Sequence, residues 1–341
     1  MKNFKKTKRV LVIAEAGVNH NGSEKMALKL ITAAKKAGAD IVKFQSFKAE
    51  ELITKSAKKP KYINENKFLK KKSQYQILKD LELSDRVIKK LSNYCKVIGI
   101  EFLSSAFDVE SIKSLSKNNI KRFKIPSGEI TNFPYLVKIA EQKKPIILST
   151  GMANMIEVKK AMHILTTNGA KKNSITVLHC TTDYPTSVKD VNLKAMLTLR
   201  DNLNVEIGYS DHTMGIEVSI AAVAMGAKVI EKHITLNKKL DGPDHKASLE
   251  PNEFKLMVAA IRNISLAIGD GIKKPTKREI KNLIPVRKSI KAKRSIKKGE
   301  ILTEDNITTK RPLTGISAIK WSLVLGRKAK RSYKTDDNIV L

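Results

Sequence analysis

An eightfold alternation of short apolar runs and amphipathic segments between residues 10 and 268 constrains the fold of this chain most strongly. The runs are rich in β-branched residues and have the length of buried parallel strands. They occupy residues 10–14, 41–45, 100–104, 122–125, 146–149, 175–179, 205–208 and 229–233. Strand–helix units repeated over about 260 residues are typical of a closed barrel rather than an open sheet. The sequence therefore predicts an α/β fold, a (β/α)8 TIM barrel.

Two of the amphipathic segments begin with recognisable helix caps. Ser23 precedes apolar residues that recur at helical spacing, and Asn154 stands three residues before Glu157. The second arrangement is that of a capping box, in which the two side chains bond each other's backbone N–H groups. We expect a helix to start at each of these positions.

The composition and the apolar pattern of the chain change after the predicted barrel, which spans residues 1–268. Residues 269–284 are rich in Gly, Pro and Lys without a clear apolar period, which is typical of a linker. Residues 285–341 have short alternating runs and a turn signal at 298–300, which predict a small β-rich domain. A domain of under about 60 residues has a thin core and tends to bury against another surface. This tendency favours a dimer.

The composition limits the classes to which the protein can belong. Apolar residues make up 41 % and charged residues 29 %, so a disordered chain and a membrane protein are both excluded. The 66 Lys and Arg against 33 Asp and Glu give a formal charge of +33, spread over the chain. Only 5 % of residues are aromatic, so we expect no specific nucleic-acid partner. Nonspecific attraction of polyanions and, as a function of another class, nucleic-acid binding remain alternatives.

The sequence also predicts the cellular compartment. The apolar stretch near the start is closed by Glu15 and is shorter than that of a signal peptide. Cys95 and Cys180 are too few to form a disulfide framework. We therefore expect a cytoplasmic protein, in a reducing compartment, that does not enter a membrane.

Two lysines stand on predicted strands that would otherwise be buried. Lys43 and Lys124 cannot remain charged in an apolar layer without partners. Either an anion binds between them, or each pairs with a barrel carboxylate such as Glu15 or Glu129. Hydroxyl groups suited to phosphate or carboxylate oxygens stand at the same strand ends, on Ser105, Ser127 and Ser149.

Two histidines end the predicted strands seven and eight, which are neighbours in a closed barrel. His212 and His233 could bind one divalent ion that keeps open positions for water and substrate, with Asp211 and Glu231 nearby. Alternatively, each histidine is a hydrogen-bonded structural residue. His163 falls in the middle of a predicted helix, and we expect it at the surface.

Nine segments carry a resemblance that covers the whole chain. They are AEAGVNHNGS at 14–23, VKFQSFKAEELI at 42–53, FKIPSGEI at 123–130, LSTGMA at 148–153, LHCTTDYPT at 178–186, SDHTMG at 210–215, IEKHITL at 230–236, GPDHKASLEP at 242–251 and ITTKRPLTGIS at 307–317. In this order and spacing they resemble the sialic acid (N-acetylneuraminate) synthase family. The C-terminal domain likewise resembles the antifreeze-like SAF domain, which has a β-clip fold.

The resemblance implies a reaction and its cofactor. Members of this family condense phosphoenolpyruvate with N-acetylmannosamine and water to give N-acetylneuraminate and phosphate. They use Mn²⁺ or another divalent ion, such as Mg²⁺ or Co²⁺. Thr182 departs from the Asn found in some members. This departure leaves legionaminate and pseudaminate synthases, which use a related N-acylated hexose, as alternatives.

The resemblance also implies roles for individual residues. His212 and His233 would bind the metal, and Glu15 would be a catalytic carboxylate. The positions that match phosphoenolpyruvate contacts are Lys43, Lys124, Ser105, Ser127 and Ser149. The positions that match sugar-side or supporting residues are Glu129, Tyr184, Ser210 and Asp244. Arg311 matches an arginine that the SAF domain of one subunit places in the active site of its partner, so the implied assembly is a domain-swapped homodimer.

Overall fold

A closed barrel of eight parallel strands forms the first of two compact units. The computed structural model describes residues 9–60 and 71–341, and the units divide between Asp270 and Gly271. The strands are β1 (Leu11–Gly17), β2 (Ile41–Ser46), β3 (Glu101–Ala106), β4 (Phe123–Ile125), β5 (Ile146–Ser149), β6 (Ile175–Cys180), β7 (Glu206–Asp211) and β8 (Val229–His233). They follow one another in chain order, and β8 pairs with β1. The predicted TIM barrel is confirmed.

Helices surround the barrel strands. They are α1 (Glu24–Lys36), α2 (Ala49–Leu52), α3 (Gln74–Leu81), α4 (Asp85–Ile98), α5 (Val109–Lys117), α6 (Phe133–Glu141), α7 (Met155–Thr167), α8 (Lys194–Leu203), α9 (Glu217–Ala224) and α10 (Pro251–Ala267). Ser23 caps α1 by accepting a hydrogen bond from the N–H of Met26, and Asn154 forms a capping box with Glu157. Both predicted helix starts are confirmed. No helix in residues 9–60 and 71–341 is long and apolar enough to span a membrane.

The barrel interior contains an apolar layer beneath a polar one. The apolar layer consists of Ile13, Ile41, Leu103, Ile147, Leu178 and Val229. Gly208 completes it, because a Cβ there would lie 2.5 Å from the Leu178 side chain and 2.9 Å from Cβ of Val229. Side chains alternate along a strand, so the next inward residue lies two positions further on. Those next residues are Glu15, Lys43, Ser105, Ser149, Cys180, Ser210 and Glu231, and the polar layer therefore follows from strand period alone.

The second unit, Gly271–Leu341, has its own small apolar core. Its elements are α11 (Lys277–Val286), β9 (Ser289–Ala292), β10 (Ile307–Lys310) and α12 (Trp321–Val324). The two strands pair antiparallel, and Gly299 takes a positive φ of 85° in the predicted turn. The core residues are Ile290, Ala292, Ile296, Leu302, Ile307, Val324, Ala329, Tyr333 and Ile339.

Helix α11 occupies part of the segment predicted as a linker, residues 269–284. It begins with a capping box between Thr276 and Glu279. None of its residues is buried within the chain, and it contains Pro285. Its apolar side chains Ile280, Leu283 and Ile284 share one face, but they are few and lie close to Gly, Pro and Lys residues that predict a linker, which explains why this helix was not predicted.

Candidate active site

A cavity of about 270 Å³ lies at the carboxyl ends of the barrel strands. Its floor is the polar inner layer, and its upper walls come from the loops that follow the strands. A groove of about 650 Å³ between α4 and α5 is larger, but mainly exposed charged residues line it, away from the strand ends. In barrels of this type the strand ends carry the chemistry. The smaller cavity is therefore the candidate active site.

Four buried charged groups form the floor of the cavity. Lys43 Nζ lies 2.9 Å from Glu15 Oε2 and 3.6 Å from Glu231 Oε1. Lys124 Nζ lies 3.5 Å from the same oxygen of Glu231. Both lysines thus pair with barrel carboxylates, which was one of the two alternatives that the sequence left open. The carboxylate beside Lys124 is Glu231, however, and not Glu129.

Serine hydroxyls extend this charged floor. Lys43 Nζ donates a hydrogen bond to Ser105 Oγ at 3.2 Å, and Lys124 Nζ donates to Ser149 Oγ at 2.7 Å. Ser127, in the turn after β4, also lines the cavity. The predicted lysines and serines are therefore brought together around one cavity. Ammonium groups beside hydroxyl groups form a donor set suited to a phosphate or a carboxylate.

The two floor carboxyls have opposite protonation tendencies. Burial raises the pKa of Glu15 to about 7, although Lys43 opposes this shift. Burial alone would also raise the pKa of Glu231, but Lys124 and Lys43 outweigh it and hold that pKa at about 2. An anion arriving at the floor would favour the protonated form of Glu15 further, because a nearby negative charge raises a carboxyl pKa. The floor can thus lose one negative charge near neutral pH.

His212 and His233 stand side by side above the floor, with their ring centres 5.5 Å apart. The Nδ1 of His212 lies 2.6 Å from the carbonyl oxygen of Thr181, so Nδ1 donates its hydrogen and Nε2 keeps a lone pair. Burial lowers the pKa of both histidines, that of His233 well below its usual range. Both rings are therefore neutral imidazoles at neutral pH, the form that binds metal ions.

These two rings fit a divalent ion as part of its coordination shell. In the described ranges 9–60 and 71–341, no three His, Cys, Asp or Glu side chains are grouped closely enough to hold a metal alone. The His233 Nδ1 is nevertheless buried and has no hydrogen-bond partner among those residues. Asp244 Oδ2 is 3.7 Å from it, beyond hydrogen-bond distance. Two neutral imidazole rings that line an open cavity leave further positions for water or substrate.

The remaining predicted site residues of the barrel divide into two groups. Tyr184 lines the cavity with its ring centre 4.2 Å from that of His212, and Ser210 donates a hydrogen bond to Glu231 Oε1 at 3.1 Å. Asp244 also lines the cavity, and burial raises its pKa to about 6. Glu129 does not line it, because its carboxylate turns to accept a hydrogen bond from Asn132. The structure therefore gathers all these residues except Glu129.

Arg311 belongs to the second unit, directly after β10. Its side chain is exposed there. The role implied for it, in the active site of a partner subunit, stays a prediction.

Behind the histidines, an ion pair faces the helix layer. Asp211 and Lys232 alternate with the cavity residues, so they point outward from the barrel, and their charged atoms lie 2.9 Å apart without any solvent exposure. Asp211 accepts hydrogen bonds from the N–H and hydroxyl of Thr213, and Lys232 donates to the Thr213 carbonyl oxygen. This network ties together the strand ends that carry the two histidines.

Sequence reasoning missed Glu231 as a floor residue and Gln74 as a wall residue of the cavity. The signal for Glu231 was present, because Val229, Glu231 and His233 alternate on the inner face of one strand. No comparable signal pointed to Gln74, since it lies on α3, a helix of the long connection after β2.

Comparisons with known proteins agree with this fold. A model of the NeuB family matches residues 30–273, and a model of the SAF domain matches residues 287–339. An N,N'-diacetyllegionaminic acid synthase of Campylobacter jejuni is 54 % identical over 332 residues, 97 % of this chain and 99 % of its own. A Legionella pneumophila protein with the same description is 46 % identical, over 93 % of this chain and 89 % of its own.

A solved structure also resembles the chain along most of its length. The N-acetylneuraminic acid (sialic acid) synthetase of Leptospira borgpetersenii has a TM-score of 0.71 and 33 % identity. The match covers 83 % of this chain and 93 % of that one. Together with the family match, these similarities show that the chain belongs to the NeuB family of sialic acid-type synthases and carries a SAF domain at its C-terminal end.

Proposed function

We propose that this enzyme condenses phosphoenolpyruvate with a hexose that carries two acetamido groups, releasing phosphate. The observation that carries the reaction is the buried floor of two lysines beside two neutral histidines. The choice of acceptor rests on the relatives: identity is 54 % and 46 % to proteins described as diacetyllegionaminic acid synthases, against 33 % to an N-acetylneuraminic acid synthetase. The legionaminate alternative is therefore better supported than the expected acceptor, N-acetylmannosamine.

A diacetylated product would limit the class of acceptor. Phosphoenolpyruvate contributes three carbons and no nitrogen to the product. Both acetamido groups of a diacetylated product must therefore come from the acceptor sugar. N-acetylmannosamine carries one such group, so it would yield a singly acetylated product.

The floor of the cavity would bind phosphoenolpyruvate. Lys43 and Lys124 supply two cations, and Ser105 and Ser149 supply hydroxyl groups within hydrogen-bond distance of them. Glu15, whose pKa of about 7 allows it to take up a proton, reduces the repulsion of an incoming anion.

His212 and His233 would hold a divalent ion such as Mn²⁺, which supplies Lewis-acid polarisation of the acceptor's carbonyl oxygen. Tyr184, whose ring is tilted against that of His212, would orient the acceptor above the floor. When the methylene carbon attacks the aldehyde, positive charge develops at carbon two of the phosphoenolpyruvate unit. Glu15 would give up its proton as that positive charge develops, and the carboxylate would then stabilise the charge or help water add there before phosphate leaves.

Replacing Lys124 with methionine is expected to lower kcat/KM for phosphoenolpyruvate at least about tenfold, because a charge-assisted hydrogen bond contributes roughly 1.5–3 kcal/mol. Methionine keeps most of the side-chain volume and removes the charge. Lys121→Met, on the exposed approach to the same strand, serves as the matched control and should leave this constant unchanged. Steady-state kinetics with varied phosphoenolpyruvate measure both. A change confined to the acceptor's constant would show that Lys124 has another role.

We further propose that the active enzyme is a homodimer in which the SAF domain of one subunit serves the barrel of the other. Loops and first helical turns at the mouth of the barrel expose large apolar side chains. They are Phe133, Met152, Ile156, Val188 and Met214. Apolar side chains gathered at one face of a protein are typical of an interaction surface. A partner's domain would cover them and would bring Arg311, a permanently charged planar donor, to the acceptor sugar.

Mixing Arg311→Ala with His233→Ala is expected to restore activity that neither variant has alone. If domains are exchanged, half of the sites in each heterodimer combine an intact histidine pair with an intact Arg311. Statistical mixing makes half of the dimers heterodimers, so about one quarter of wild-type activity should return. Subunits are exchanged and turnover of the mixture is measured, and heterodimers isolated through two different tags should reach about one half of wild-type activity. Inactive heterodimers would show that Arg311 of one subunit does not act in the active site of the other.

The reaction itself is tested by release of phosphate from phosphoenolpyruvate in the presence of each acceptor. We expect release with a doubly acetylated hexose and little without an acceptor. Binding of nucleic acid that weakens steeply with salt, together with no phosphate release from any acylated hexose, would instead support the alternative of a nucleic-acid-binding protein.

A further inference from the structure

The cavity has a second wall whose chemistry differs from that of the floor. Helix α3 presents one face to it, because Gln74, Ile77, Leu78 and Leu81 follow the i, i+3, i+4, i+7 spacing of a helical stripe. We call the following set the α3 wall: Val18, Gln74, Ile77, Leu78, Leu81 and Phe107. It contains five apolar side chains and one amide, and the reaction described above uses none of them.

Gln74 is the unusual member of the α3 wall. Its side chain is only 8 % exposed, and its Oε1 atom has no hydrogen-bond partner among the described residues. Buried polar atoms are nearly always paired, so an unpaired amide oxygen in a cavity wall indicates a donor that arrives with a ligand. Ser73 and Gln76, its neighbours at the helix start, bond each other in a capping box and do not satisfy it.

An amide oxygen surrounded by apolar side chains suits an acylamino group. The N–H of such a group would donate to Oε1 of Gln74, and its methyl group would pack against Leu78 and Ile77. A sugar hydroxyl at the same place could also donate a hydrogen bond to Oε1. It would, however, give the apolar side chains no apolar group to pack against. Sites that both pair a polar group and bury an apolar one discriminate between such substituents.

The position of the α3 wall selects which acylamino group binds there. The reacting carbonyl carbon of the acceptor must lie at the floor, near the histidines and the bound phosphoenolpyruvate. In N-acetylmannosamine the acetamido group is adjacent to that carbon. Helix α3 instead lies in the connection after β2, and its residues line a wall of the cavity rather than the floor of lysines and carboxylates. It therefore meets the part of the sugar that is farther from the reacting carbon.

From this geometry we infer that the α3 wall is the subsite for the second acetamido group of the acceptor, and that Gln74 and Leu78 determine acceptor specificity. The inference rests on the proposed function. Ile77 and Leu81 are buried with Val18 and Phe47 in a small apolar core, so changing them would confuse stability with specificity, whereas Leu78 is only partly buried at the edge of that core. Gln74 and the half-buried Leu78 are the residues to test.

The test compares kcat/KM for a doubly acetylated hexose with kcat/KM for N-acetylmannosamine, each at saturating phosphoenolpyruvate. Gln74→Leu keeps the side-chain size and removes the acceptor atom, and we expect it to lower the ratio of the two constants at least about tenfold. Gln76→Leu is the matched control, because it breaks the cap of the same helix from the exposed side and does not line the cavity. It should leave the ratio unchanged.

The outcomes distinguish failure of the α3 wall as a subsite from failure of the proposed function on which it rests. A wild-type enzyme that prefers N-acetylmannosamine contradicts the proposed function, whatever the variants do. A wild-type enzyme that prefers the doubly acetylated acceptor, with an unchanged ratio in folded Gln74→Leu, overturns the subsite alone. An equal fall in Gln76→Leu would show that helix stability causes the effect, and would also overturn it. If Gln74→Leu does not fold, Leu78→Ala decides, with an expected fall of roughly tenfold.

Discussion

Replacing His233 with alanine is expected to lower the metal-dependent kcat about a thousandfold. The reason is that a Lewis acid supplies several kcal/mol of transition-state stabilisation, and about 4 kcal/mol corresponds to three factors of ten. His233 is one of two neutral imidazoles in the cavity, so one ring would remain to hold the ion. The measurement is steady-state turnover in a titration of Mn²⁺ after chelation, together with calorimetric Mn²⁺ affinity.

His163→Ala is the control for this variant, because His163 is exposed in the middle of α7 and lies outside the cavity, as the sequence predicted. It should match the wild-type enzyme in both turnover and Mn²⁺ affinity. Full turnover of the wild-type enzyme after exhaustive chelation would contradict the metal role. Unchanged Mn²⁺ affinity in His233→Ala would contradict the assignment of this residue as a ligand.

Glu231→Gln is expected to lower the free energy of unfolding by about 3–5 kcal/mol, since removing one partner of a buried ion pair leaves an uncompensated charge. Glu231 lies within 3.6 Å of both Lys43 and Lys124, and all three are buried. Denaturant unfolding measures the loss. Phosphoenolpyruvate should recover part of it, because the substrate's negative charges would lie beside the two ammonium groups.

Glu129→Gln is the matched control for Glu231. Its carboxylate is half-buried and accepts a hydrogen bond from the neutral Asn132, so its replacement should cost less than about 1.5 kcal/mol. Equal losses in the two variants would contradict the assignment of Glu231 as the carboxylate that neutralises the floor. Absence of any recovery by phosphoenolpyruvate would contradict binding of the anion there.

The pattern of strands in the sequence predicted most of the architecture. Eight apolar runs predicted the barrel, and the cap residues Ser23 and Asn154 predicted where two helices start. Neighbouring strands of a closed barrel end at one face. The sequence alone therefore predicted that His212 and His233 lie together, as the structure has them. These predictions succeeded because each depends on local periodicity or on chain order.

The contacts that the sequence did not predict depend on three-dimensional packing. Glu129 and Glu231 are both acidic residues near strand ends, and only the direction of each side chain decides which one meets Lys124. Gln74 lines the cavity although it belongs to the long connection between β2 and β3, and no strand or helix periodicity predicts that placement. Helix α11 was missed for a different reason, since its short apolar stripe lies beside Gly, Pro and Lys residues that are typical of a linker.

Competition between two acceptors tests the central claim most directly. The wild-type enzyme is given limiting phosphoenolpyruvate with equal concentrations of a doubly acetylated hexose and N-acetylmannosamine, and the nonulosonic acid products are identified by mass. The product ratio equals the ratio of the two kcat/KM values. We expect the doubly acetylated product to exceed N-acetylneuraminate by at least about tenfold. A mixture dominated by N-acetylneuraminate would contradict the proposed acceptor.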